Sequence, residues 1–223
     1  MKKLLMVTHS AGFKHSYLPV ATQAIMELGE RSGQFKVTAT TECDLLNKED
    51  LKKFDALLFG TTGDLPISDK DRNDLMAAIR NGKPFIGIHN ATDTYHHYAE
   101  YTRMIGGTFI GHPWSQEVQV KVEDQTHPST RHLPKTFKVK EEVYTFRNWS
   151  RDKTHVLISL DNSSVDLSKG NREDHDYAMC WWHNYGKARV FYTAFGHYEE
   201  LWSQELFLTH MLNGILWAMK LKE

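Results

Sequence analysis

At 223 residues, with 40% hydrophobic and 25% charged residues, the chain has the composition of an ordinary globular domain with a sizeable core, which excludes disordered, collagen-like and membrane-spanning classes. Lysine and arginine number 27 against 28 acidic residues and form no basic stretch, so neither nucleic acid nor an anionic membrane is an expected partner. Two cysteines, Cys43 and Cys180, fit a reducing compartment without a disulfide framework, and the cytoplasm is the expected location.

The opening Met1-Lys2-Lys3 and Leu4-Leu5-Met6-Val7 mimics a secretion signal, but the apolar run is short and ends in Thr8-His9-Ser10 without a small-residue cleavage site. It reads as a buried strand from Leu4 to Thr8. Leu18 to Leu28 carries apolar residues at helical spacing, closed by Gly29 and Gly33. Phe35 to Thr40 alternates as a strand does. Asn47 can cap a short helix reaching Phe54. Ala56 to Phe59 is a continuous apolar strand, followed by the turn Thr61-Thr62-Gly63-Asp64. Ser68 can cap a helix to Ile79, with Gly82 as its stop, and Phe85 to Ile88 is a buried strand that ends on His89. This β-α-β-α-β-α-β order predicts a doubly wound, mostly parallel sheet with helices on both faces. A helical segment from Tyr95 to Ile105 follows. The C-terminal half adds strands at Val118 to Val122, Phe137 to Phe146, His155 to Leu160 and Tyr177 to Trp182. The last of these turns through Asn184-Tyr185-Gly186-Lys187 into Arg189 to Ala194. A final helix spans Leu201 to Met219, with Leu206, Met211, Leu212, Ile215, Leu216 and Met219 available for the core. No repeat or linker interrupts the chain, so residues 1–223 read as one domain.

Thirteen histidines and six tryptophans are the unusual counts, and they suggest metal ligation or acid–base chemistry beside aromatic walls. In open α/β sheets ligands bind beyond the carboxyl ends of the strands. Those positions carry His9 to Ser16, Thr61 to Asp64, His89 to Thr94 and Phe195 to Glu199, and three of the four deliver a histidine.

Six segments in register resemble the ThuA-like (trehalose-utilisation) family from Lys3 to about Ala218: Gly12-Phe13-Lys14-His15-Ser16, Gly87-Ile88-His89-Asn90-Ala91-Thr92-Asp93-Thr94, Gly111-His112-Pro113, His127-Pro128-Ser129-Thr130, Glu141-Glu142-Val143-Tyr144 and Tyr192-Thr193-Ala194-Phe195-Gly196-His197. The resemblance implies a class I glutamine amidotransferase-like fold, related to flavodoxin-type sheets. In amidotransferases a strand-to-helix elbow presents a cysteine and a histidine follows the last sheet strand. Here His89 stands at the elbow and His197 matches the partner, so thiol-based glutamine hydrolysis is lost. Lys14 and Asn90 depart from the pattern, since relatives often carry His and Ala there.

His89 and His197 are the expected central catalytic pair, with Asp93 or Glu142 as proton carrier. If the elbow opens a helix, Asp93 shares a face with His89 and can fix its tautomer. Otherwise it caps the next segment. Glu142 and Tyr144 share one strand face and suit either a pocket wall or a solvated surface. A divalent metal (Zn, Ni, Mn or Fe) held by His15, His89, His112 and His197 is the cofactor expectation, and no nucleotide cofactor is expected. His15, Asp64, Tyr144, Trp181 and His183 are the candidate substrate contacts. His127-Pro128 reads as a structural turn, and at least one of His96 and His97 as solvated.

The family resemblance implies a small-molecule sugar substrate, processed through 3-keto-sugar intermediates by hydrolysis via elimination or by isomerisation. No nucleic-acid or membrane partner is expected, and a homo-oligomer is compatible with the sequence. Two alternatives stay open: a sugar-binding or regulatory module without chemistry, and a metal-dependent amidohydrolase or esterase.

Overall fold

The computed structural model describes residues 1–223 and contains one nine-stranded sheet. Its elements in chain order are β1 (Lys2–Val7), α1 (Leu18–Ser32), β2 (Phe35–Thr40), α2 (Lys48–Leu51), β3 (Ala56–Phe59), α3 (Asp69–Arg80), β4 (Phe85–Ile88), α4 (Ala99–Ile105), β5 (Thr108–Val122), β6 (Thr136–Arg147), β7 (His155–Leu160), β8 (Ala178–Tyr185), β9 (Ala188–Thr193) and α5 (Glu205–Ala218). The strand order is β2-β1-β3-β4-β9-β8-β7-β5-β6. The pairings from β2 across to β9 are parallel, and those from β9 across to β6 are antiparallel. The architecture is therefore the expected α/β sheet, with an antiparallel extension as wide as its parallel part.

Side-chain alternation along β1 shows how the sheet divides the core. Leu4 and Met6 pack with α1 and α5 on one face, and Leu5 and Val7 pack with α2, α3 and α4 on the other. The helix ends follow the chemistry of their residues. Asn47 and Ser68 accept hydrogen bonds from the first free backbone N–H groups of α2 and α3, and Gly33 closes α1 in the left-handed conformation.

Several boundaries differ from expectation. α1 continues through Gly29 to Ser32, and α4 begins at Ala99 rather than near Tyr95. α5 begins at Glu205 after a 3-10 turn over Glu199–Ser203, and Leu206 is 53% exposed instead of facing the core. The largest difference is β5, which starts ten residues before the expected Val118. Its first half carries Gly111, Pro113 and the exposed run Ser115-Gln116-Glu117, so no apolar alternation marks it as a strand. Register shifts after Phe109 and after Gly111 bend this part of the β5–β6 ribbon.

α5 packs closely on β9 at Gly214. A Cβ built on Gly214 would sit 2.5 Å from two ring atoms of the fully buried Phe191. Alanine inside a helix normally gains up to about 1 kcal/mol over glycine. Here overpacking wins. Gly214→Ala is expected to destabilise the fold by about 2 kcal/mol, read as a fall in thermal midpoint of roughly 4–8 °C. An unchanged or raised midpoint would show that Phe191 can move aside.

Candidate active site: a histidine–glutamate cluster at the strand ends

β4 and β9 are parallel neighbours, with Ile88 opposite Thr193, so the residues that follow them emerge side by side at one sheet edge. His89 is the first residue past β4 and adopts a left-handed φ of 36°, a strained conformation for a residue with a side chain. It opens a short 3-10 turn over His89–Asp93. His197 follows β9 after Ala194, Phe195 and Gly196. The loop between β1 and α1 supplies His15, and the bent β5–β6 ribbon brings Glu142 over the same edge. One donor atom from each of His15, His89, Glu142 and His197 lies within 4.8 Å of the others.

The hydrogen bonds set the orientation of the donors. His89 donates its Nδ1–H to the carbonyl of Ala194 at 2.7 Å, which leaves Nε2 as a lone pair facing the cluster. That Nε2 lies 3.2 Å from His197 Nδ1 and 3.7 Å from Glu142 Oε2. Glu142 Oε2 is also 3.0 Å from His197 Nδ1. An imidazole lone pair and a carboxylate oxygen therefore face each other, an arrangement that needs a proton or a cation between them. A shared His197 proton or a bound metal ion meets that need. Tyr144 places its hydroxyl 3.3 Å from His15 Nε2 and its ring centroid 4.2 Å from that of His89.

Burial sets the charge states. It pushes His15 down to about 3, helped by the charges of His89 and His197, and it lowers His89 as well. Both rings are neutral, ligand-competent imidazoles at neutral pH. Burial alone would raise the Glu142 carboxyl, but the His197 ring, 3.0 Å away, and the neighbouring imidazoles outweigh it and hold the group well below the usual carboxylate range.

The remaining candidates are placed as follows. His112 lies on β5, not in a loop; its Nε2 is 3.7 Å from Glu142 Oε1 and its side chain is 41% exposed, so it borders the four-donor set without joining it. Asp93 does not share a face with His89, because the elbow opens a 3-10 turn with three residues per turn; its carboxylate pairs with His96 Nε2 at 2.7 Å instead. Trp181 is core, donating its indole N–H to the Ile105 carbonyl. His183 bonds the Met104 carbonyl on the same side of the sheet, away from the cluster. Asp64 is exposed near Tyr95. His127 accepts the Ser129 backbone N–H as part of a buried turn, and His97 is exposed.

Sequence reasoning missed two things. Glu142 replaces His112 in the donor set, which depends on the bend in β5. Its neighbour Glu141 is fully buried, although a Glu-Glu pair in a strand carries no mark separating it from a solvated surface. Neither cysteine reaches the site: burial holds both thiols in their protonated form, with Cys43 pushed up to about 11. An apolar cavity of about 100 Å³ lined by Phe137, Phe195, Leu206 and Phe207 lies apart from the cluster.

A parallel half-sheet with a strained elbow residue after one strand and a histidine after its neighbour defines the class I glutamine amidotransferase-like fold, and PurLQS from Thermotoga maritima shares it at a TM-score of 0.58 and 16% identity, over 97% of this chain and 99% of that one. Within that class, the profile of the ThuA family, described as trehalose utilisation, matches residues 3–218, and the chain belongs to this family. A ThuA-like protein of Bacteroides uniformis superposes at a TM-score of 0.82 with 23% identity, covering 97% of this chain and 91% of that one. A ThuA-like protein of Parabacteroides merdae gives 0.77 and 17%, over 99% and 91%. No curated protein matches the sequence. The family gives the chain a carbohydrate-related role. No helix is long and apolar enough to cross a membrane.

Proposed function

We propose that the chain is an enzyme acting on keto-sugars or 3-keto-glycosides, with His15, His89, Glu142 and His197 holding a divalent metal ion. The observation that carries this reading is the convergence of three imidazoles and one ionised carboxylate within 4.8 Å, with the His89 lone pair turned inward by Ala194. Nitrogen-rich sets of this kind suit Zn, Ni, Mn or Fe in the divalent state.

An oxidised C3 acidifies the C–H bond at C2. Held by these four residues, a divalent ion would supply Lewis acidity toward the sugar carbonyl. Of the carboxylates Glu142 and Asp93, Glu142 is the one that touches the cluster and can carry the proton, and Asp93 is engaged by His96. Glu142 reaches toward the exposed side through His112, a route by which the abstracted proton can leave. Expulsion of the C1 oxygen and addition of water then give net hydrolysis, while return of the proton to the neighbouring carbon gives isomerisation. Tyr144 and the elbow turn wall the cluster on its buried side.

The test is elemental mass spectrometry of untagged protein, followed by turnover of a 3-keto-glycoside before and after chelation. About one divalent ion per chain, with turnover lost on chelation and restored by the ion, is the expected result. Saturable sugar binding without product or metal would replace the proposal with a binding module. Hydrolysis of simple esters or amides in place of keto-glycosides would move it to the hydrolase alternative.

A further inference from the structure

Behind the cluster lies a second carboxylate that the chemistry above leaves unused. Glu141 is fully buried, and backbone groups rather than a cation take up its oxygens. Oε1 accepts the N–H groups of Glu142 at 3.0 Å and of His197 at 3.2 Å, and Oε2 accepts the N–H of Gly196 at 2.7 Å. Strand alternation sends Glu141 and Glu142 to opposite faces of β6. The pair therefore grips His197 twice, at its backbone through Glu141 and at its ring through Glu142.

The same loop is packed closely on its other side. Gly196 has a φ of 117°, and a Cβ there would sit 2.9 Å from the Trp202 ring, whose indole N–H donates to the Gly196 carbonyl at 2.9 Å. Trp202 in turn stacks on Tyr17, which bonds the Asn90 side chain beside the elbow. No side chain other than a carboxylate offers two oxygens to three converging N–H groups. Glutamine fills the same volume but turns an NH₂ toward a donor. A buried carboxylate is costly to desolvate, so packing alone would favour a neutral residue here.

We infer that Glu141 is a positioning residue: it fixes His197 and Glu142 relative to His89 and thereby sets the affinity of the cluster for a divalent cation. The inference rests on the metal-centre reading for its affinity readout but not for its local one. Residues that orient ligands from behind typically change metal affinity by about 10–100-fold when replaced.

The experiment compares wild-type full-length protein with Glu141→Gln. Zinc alone is titrated into metal-depleted samples, amide hydrogen exchange is followed at Gly196 and His197 by NMR, and the denaturant midpoint reports global stability. The expected result is Zn binding weakened by about 10-fold or more, with exchange accelerated at Gly196 and His197 beyond what the change in midpoint accounts for. Unchanged affinity and unchanged local exchange in a folded variant overturn the inference. Wild type that binds no Zn sinks the metal reading instead, and local exchange then decides alone. Should Glu141→Gln fail to fold, Glu141→Asp keeps the carboxyl group while withdrawing it by one methylene, and the same two readouts apply.

Discussion

Replacing His89 with alanine is expected to strip the divalent ion from the protein and to lower keto-glycoside turnover roughly a thousand-fold. His89 is the donor whose lone pair the backbone aims into the cluster, where it faces both His197 Nδ1 at 3.2 Å and Glu142 Oε2 at 3.7 Å. The change also leaves the Ala194 carbonyl without its donor, a cost of about 1–3 kcal/mol, so a melting curve must accompany the assay. His89→Asn, which tolerates the left-handed backbone better than alanine does, is the control for folding. Ion content and turnover that both survive in a folded variant would remove His89 from the chemistry.

The second large effect is acid lability traced to one buried side chain. His210 on α5 donates Nδ1–H to the Ser129 carbonyl at 2.8 Å, and its Nε2 faces the Thr193 hydroxyl and the Cys180 thiol. Burial lowers it from 6.5 to about 4. Between those values the unfolded chain binds a proton that the folded chain refuses, so stability rises with pH and is lost as pH falls from 6.5 toward 4. A shift of that size corresponds to about 3 kcal/mol. Glu141 works in the opposite direction: burial raises it to about 8, which favours the folded state at lower pH. Other buried histidines, His15 and His127 among them, titrate over the same acid range, so the comparison is made against His210→Gln. The gap in unfolding free energy between wild type and variant should shift in the variant's favour by about 2–3 kcal/mol on going from pH 7 to pH 4. A constant gap would mean that His210 takes up its proton in the folded protein without penalty.

How far the residues foretold this structure depends on which half is considered. The parallel half was readable because its strands are buried on both faces and appear as unbroken apolar runs, such as Ala56 to Phe59 and Phe85 to Ile88. The rule that ligands sit past strand ends marked the segments holding His89 and His197, and the family resemblance singled them out as a pair. Glu142 was legible as a candidate but not as a partner of His15, because its position depends on the bent first half of β5, where exposed polar residues hide the strand. Asp93 was misjudged because one turn of 3-10 helix in place of α-helix moves a residue four positions on to another face. Glu141 lies in one of the resembling segments but carried no mark of burial, since nothing local distinguishes a buried carboxyl from a solvated one.

The strand order has a consequence for how the protein is made. β9 inserts between β4 and β8, so the strand that ends just before His89 waits about a hundred residues of synthesis for its neighbour. Until β9 arrives, β4 presents an open, apolar, parallel edge, the kind of surface that recruits other chains. Nascent or C-terminally truncated forms should therefore depend on chaperones and aggregate readily, and chain closure by β9 is the natural slow step in folding. The same event completes the paired strand ends that carry the two central histidines, so a partly made chain lacks the assembled histidine–glutamate cluster.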